Sequence, residues 1–137
     1  MRLFLLFHIN LSFSSIEESE RKNLLKLSYW PLLKLIEKLR IPIGIEASAH
    51  TLEEIKKMDP KFIKKLKFLI NKKHCEFIGS GYTQSIAPLI PAKVNDLNLK
   101  IGNDLYYKLL NIKPKVALIN EQTFSNGILD NYLKNGY

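Results

Sequence analysis

CEFIGSGYTQSIAPLIP, residues 75–91, is the stretch on which the fold turns. Cys75–Gly79 is nearly continuous in apolar residues and of strand length. Ser80–Pro91 then carries a glycine, two prolines and a series of hydroxyl and amide side chains, before a helical pattern begins. A run that is apolar throughout, rather than alternating, predicts a strand covered on both faces, as in parallel sheets. Working outward, three further runs have this character: Leu3–Leu11, Pro42–Ala47 and Val116–Asn120. Each is followed by a segment of helical period. Strand then helix, about four times, predicts an α/β chain with right-handed crossovers that place the helices outside a parallel sheet.

The helical segments have readable starts and faces. Leu24, Leu25, Leu32, Leu35, Ile36 and Leu39 form an apolar stripe, which Pro31 is expected to kink or divide. Thr51 and Glu54 have the spacing of a capping box and mark a helix start. Asp59–Pro60 marks another, with proline at the first helical position, and Ile63, Leu66, Leu69 and Ile70 extend one face. Leu97, Ile101, Leu105 and Leu109 recur every fourth residue in a helix that ends before Pro114. Ile128, Leu129, Tyr132 and Leu133 open a fourth.

Composition narrows the class. At 137 residues with 46% hydrophobic and 25% charged, the chain can bury one core. The net charge of +8 is mostly lysine spread over the helices, and Arg2, Arg21 and Arg40 are the only arginines. That spread predicts solvated helix faces and no nucleic-acid partner, since an anion groove concentrates charge on one face. Cys75 is the single cysteine, which excludes an internal disulfide and a cysteine-built zinc site and points to a reducing, cytoplasmic setting. The opening MRLFLLF imitates a signal peptide, but His8 and Asn10 interrupt it and no small-residue cleavage site follows. No run reaches the roughly 18 to 20 apolar residues of a membrane span, so no membrane association is expected.

The informative positions are polar residues that share a strand face with apolar ones. His8 and Asn10 follow Phe4 and Leu6; Glu46 and Ser48 follow Gly44; Glu121 continues the face of Ala117 and Ile119. All lie at the C-terminal ends of their strands, where parallel β/α folds gather catalytic groups. Glu76 differs, because it opens its strand. Each has a plainer reading: His8 as a hydrogen-bonded buried histidine, Glu46 as a cap, Asn120 and Glu121 as a solvent-facing loop pair, His50 and His74 as surface residues. Their shared position favours one pocket. The loop after Cys75–Gly79 adds glycines that let a ligand approach the backbone, with Tyr82 and Gln84 offering a stacking face and hydrogen bonds suited to a sugar.

FHIN at residues 7–10, CEFIGSGYTQSIAPLIP at 75–91 and ALINEQTFS at 117–125 resemble, in order and spacing, the first three sequence regions of glycoside hydrolase family 57. The resemblance covers nearly the whole chain. It implies a seven-stranded β/α barrel, so that residues 1–137 form the N-terminal portion of such a domain, a partial (β/α)7-type barrel incomplete at the C-terminus. It implies an enzyme that hydrolyses or transfers α-glucan chains with retention of configuration, with Glu121 as nucleophile, His8 lining the sugar site and Glu76 as the second-region glutamate. Asn10, Glu46, Tyr82, Gln84 and Asn120 are the further candidate substrate-binding residues, and no metal or cofactor is called for.

Two motifs depart from the family pattern. Ile9 and Asn10 stand where His-Gln-Pro is usual, and Leu118, Ile119 and Asn120 occupy the stretch that usually holds a tryptophan. The family's acid/base aspartate belongs to a later region, beyond Tyr137. A retaining mechanism needs two carboxyl groups roughly 5 Å apart, and a whole barrel needs about 200 to 250 residues. The chain alone is therefore expected to be inactive. Two other readings are a carbohydrate-binding or assembly module that self-associates through an open sheet edge, and a metal-dependent polysaccharide deacetylase on a related barrel.

Overall fold

The computed structural model describes residues 4–137. Leu3, the expected start of the first strand, lies outside them, with Met1 and Arg2.

Three parallel strands form the sheet: β1 (Leu6–Ile9), β2 (Ile43–Ala47) and β3 (Cys75–Ile78), in spatial order β1-β2-β3. Leu6 pairs with Gly44 and His8 with Glu46, while Gly44 pairs with Glu76 and Glu46 with Ile78. These six residues share one sheet face. The opposite face carries Ile9, Ile45, Ala47, Cys75 and Phe77, all buried under the helices. The expected fourth strand does not form. Gly79 and Ala117 make a single parallel bridge, with Gly79 N–H donating to Val116 and Leu118 N–H donating to Gly79. Beyond it the backbone curls into a 3-10 turn at Asn120–Gln122 and leaves the sheet.

The helices are α1 (Arg21–Leu24), α2 (Trp30–Leu39), α3 (Ala49–Met58), α4 (Pro60–Asn71), α5 (Ala92–Leu110) and α6 (Leu129–Lys134). A π turn at Leu25–Tyr29 joins α1 to α2, so Pro31 enters without breaking the helix. Proline removes one N–H from the helical ladder, and the wider turn before it absorbs the mismatch. The turn also shifts the buried face: Leu25, Leu33 and Ile36 are buried, whereas Leu35 and Leu39 are exposed, against the expected stripe. The start of α3 lies upstream of the expected Thr51, because Ser48 is the cap and its hydroxyl accepts from Thr51 N–H at 3.2 Å. Asp59 does cap α4, accepting from Lys61 N–H at 3.0 Å with Pro60 in the first turn. On α5 the buried residues are Asn95, Leu99, Gly102, Tyr106, Leu109 and Leu110, while Leu97 and Ile101 face outward.

Two helices stop on left-handed residues, Arg40 and Asn111, with prolines two and three positions on. Among the described residues, no helix is long and apolar enough to cross a membrane.

Candidate active site

The sheet face that carries His8 and Glu46 leads, at the C-terminal strand ends, to a buried polar centre. Glu46 is fully buried, and each carboxylate oxygen has a partner: Oε2 faces His8 Nδ1, and Oε1 accepts from the Ser80 hydroxyl. A charged group can stay in such a place only when it is paired and hydrogen-bonded. The His8 side chain is 40% exposed, so the pair runs from the interior to the surface. The hydrogen bond to Glu46 holds the His8 pKa above its ordinary value, burial pulls it down, and the charges of Glu46 and Glu121 push it up.

Gln84 and Asn10 complete the cluster. Gln84 Nε2 lies 2.8 Å from His8 Nε2, and Asn10 Nδ2 donates to Gln84 Oε1 at 3.1 Å. Tyr29, on the π turn, clasps the Asn10 backbone from behind: its hydroxyl accepts from Asn10 N–H at 3.0 Å and donates to the Asn10 carbonyl at 2.7 Å. The π turn therefore places a side chain that supports the site, a common use of such turns.

The loop after β3 is positioned by α5. Tyr106 is fully buried; its hydroxyl accepts from Ser80 N–H and lies 2.9 Å from both the Ala47 and Gly81 carbonyls. Burial pushes that phenol's pKa well up, so it acts as a neutral hydroxyl joining the ends of β2 and β3. Asn98 accepts from Thr83 N–H at 2.8 Å and donates to the Thr83 carbonyl at 3.2 Å. Gly81 has φ +94°, and a Cβ there would lie 2.7 Å from Asn98 Nδ2, so glycine is required twice over.

The remaining candidates are distributed around this centre. Asn120 is buried and donates to the Ser80 carbonyl at 3.3 Å, which ties its turn to the loop rather than to a ligand. Glu121 is exposed on that turn, with φ +54°, and its charge reaches His8. Gln122 is left-handed as well, and two such residues in a row hold strain of the kind found at functional sites. The Tyr82 hydroxyl reaches Glu53 on α3 at 3.3 Å, and its ring meets His50, which in turn meets Phe13. His50 is thus half-buried among aromatics rather than a surface residue. Glu76 does not join the cluster. It is exposed beside Gly44 and lines a cleft of about 790 Å³ among the strand starts, with Leu6, Ile78 and Leu118.

Ser80, Tyr29 and Tyr106 carry the centre and have no signal of their own in the sequence. Ser80 reads as a turn residue beside glycines, and the two tyrosines read as helix-face aromatics. No group of three His, Cys, Asp or Glu side chains among the described residues is placed to hold a metal ion.

The comparisons with known proteins agree with the sequence resemblance. The model of glycosyl hydrolase family 57 matches residues 6–137. The chain is 28% identical over 100 residues to alpha-amylase 1 of Dictyoglomus thermophilum, a match that covers 72% of this chain and 15% of the relative. Its fold is similar to the crystal structure of the 4-alpha-glucanotransferase from Thermococcus litoralis, with a TM-score of 0.84 and 18% identity, over 98% of this chain and 21% of that one. It is also similar to a Streptococcus pyogenes deacetylase solved with acetate, with a TM-score of 0.68 and 10% identity, over 98% of this chain and 80% of that one. At those identities the two structures speak for the fold alone. The chain spans about a fifth or less of the length of its amylase and glucanotransferase relatives.

Proposed function

The chain belongs to glycosyl hydrolase family 57, and from that premise we propose that it forms the N-terminal part of the barrel of a retaining hydrolase or glucanotransferase acting on α-glucans. The observation that carries this reading is the meeting of His8, Glu46 and Ser80 at adjacent strand ends, with the exposed Glu121 carboxylate close enough to act on His8. Glu121 attacks the anomeric carbon, and the strained turn leaves its carboxylate without a hydrogen bond among the described residues. Among the described residues, Gln84 keeps one amide hydrogen and one carbonyl lone pair unengaged, a match for adjacent sugar hydroxyls. Asn10 and Asn120 shape the site by holding Gln84 and the loop, and Tyr82 offers an aromatic edge beside it.

On the family resemblance, the second carboxyl group belongs to a later sequence region than the residues described, and neither Glu46 nor Glu76 replaces it. Glu46 is fully buried and uses both oxygens, so it cannot protonate a leaving group. Glu76 lines a different cleft. Without an acid/base partner the chain binds oligosaccharide but does not turn it over. The single cysteine suits a reducing, cytoplasmic setting, and burial, which raises its pKa to about 11, keeps that thiol unreactive. The deacetylase likeness remains one of fold, because among the described residues no group of three His, Cys, Asp or Glu side chains favours that chemistry.

The test is made in a protein that carries this chain within a complete barrel. Glu121→Ala is expected to lower kcat on maltooligosaccharides by at least ~10³-fold, in line with nucleophile removals elsewhere. Azide should restore turnover and yield the β-glycosyl azide, because it attacks from the face the carboxylate used. Full activity in the variant would remove Glu121 from the mechanism.

A further inference from the structure

The hydrogen bonds around His8 can be read in one direction only. The Phe13 N–H can only donate and its carbonyl only accept. Asn10 meets both: Oδ1 accepts from Phe13 N–H at 3.0 Å, and Nδ2 donates to the Phe13 carbonyl at 2.8 Å. Turning the Asn10 amide over would set both pairs wrong. Its second Nδ2 hydrogen goes to Gln84 Oε1 at 3.1 Å, so Gln84 is oriented in turn, and its Nε2 donates across 2.8 Å to His8 Nε2. A donor there requires a lone pair on the ring nitrogen. The ring proton is left to Nδ1, which faces Glu46 Oε2, while Glu46 Oε1 takes the Ser80 hydroxyl.

We propose that this relay, from the Phe13 backbone through Asn10 and Gln84, fixes neutral His8 as the Nδ1-protonated tautomer with Nε2 an acceptor, and that Asn10, Gln84, Glu46 and Ser80 are its positioning residues. The inference stands on the geometry and needs no assignment of the nucleophile. A second proton on His8 would set Nε2–H against the Gln84 amide nitrogen. Rotating Gln84 to relieve that would set the same nitrogen against Asn10 Nδ2, which Phe13 holds in place. His8 therefore gains charge only with rearrangement of Gln84 and its loop. Of the groups that face the ring, the Glu46 and Glu121 carboxylates favour the cation and Gln84 opposes it.

The test is imidazole ¹⁵N NMR on the uniformly ¹³C,¹⁵N-labelled chain. At about pH 8, above the ordinary histidine value, His8 is expected to show a protonated Nδ1 and an unprotonated Nε2, a preference lost in urea. Gln84→Glu puts a carboxylate where the amide stood, accepting from Asn10 with one oxygen and from Nε2–H with the other. Its His8 titration midpoint should rise by at least about one pH unit. Gln84→Met, of similar length but with no donor, should raise it by less. Gln84→Glu adds a charge of its own, so the discrimination lies with Gln84→Met, in which a residue that merely fills space would leave the midpoint unmoved. An Nε2-protonated neutral ring in the native chain overturns the proposal, as does a Gln84→Met midpoint within about 0.2 unit of the native one. Should Gln84→Glu fail to fold, the native tautomer and the Gln84→Met titration decide between the two.

Discussion

Glu46→Gln removes the charge that raises the His8 pKa and keeps the shape of the pocket, which makes it the sharpest single-residue probe. The sign follows from linkage. The folded chain binds the His8 proton more tightly than the unfolded chain does, so the stabilisation is fully present below the unfolded value of 6.5 and disappears as pH rises through the folded value. The urea midpoint of the native chain should therefore fall between about pH 6 and pH 8. In Glu46→Gln that part of the fall should vanish. Equal pH slopes for the two chains would mean that Glu46 does not hold His8. Both residues were legible in the sequence as polar side chains at the ends of apolar strands. Their direct pairing was not, because it depends on the register that sets His8 opposite Glu46. Ser80 was invisible for a different reason: its role comes from a carboxylate far away in the chain.

Helix α5 shows how an element positions a site it does not line. Its Gly102 packs against the loop backbone so closely that a Cβ would lie 2.6 Å from the Gly81 carbonyl carbon and 2.8 Å from Tyr82 N. Tyr106, one turn further on, then reaches Ala47, Ser80 and Gly81 with a single hydroxyl. Gly102→Ala gains about 1 kcal/mol of helix propensity but must push two backbones apart, at a cost of about 1–3 kcal/mol. A net loss of stability is expected, read as a Tm lower by several degrees, together with shifted amide resonances at Ser80–Tyr82. A higher Tm with an unmoved loop would show that the helix is free to slide. Three of the four expected strands, and the helices, were readable from apolar runs, caps and prolines, as at Asp59–Pro60, while the apolar run at Val116–Asn120 makes only a bridge. The buried faces were less so. The π turn before Trp30 shifts the apolar phase of α2, and the close approach at Gly102 selects Leu99 and Tyr106 over the more regular Leu97 and Ile101 stripe.

Across the whole molecule, the helices cover one sheet face and leave the other open at the strand starts, whereas Glu46 and Ile78 at its far end are buried. On that face Phe4 is 86% exposed and Leu6 46%, and Val116 beside it is 47% exposed. The outer edge of β1 also lacks a strand partner among the described residues. Apolar surface next to free backbone donors and acceptors invites pairing with another chain. Under the barrel reading the same surface faces the barrel axis, which explains why the sequence makes these runs apolar on both sides although, at the strand starts, only one side is buried here. The isolated chain should therefore associate as its concentration rises, seen in sedimentation velocity as species heavier than 15.9 kDa. Leu6→Lys puts a charge on both the open face and the edge strand, at a half-exposed position where lysine can reach water, and should return the chain to monomer without lowering its Tm. A native chain that stays monomeric throughout the range would mean that the open face is stable in water by itself, and the apolar pattern of β1 would then need a cause other than burial.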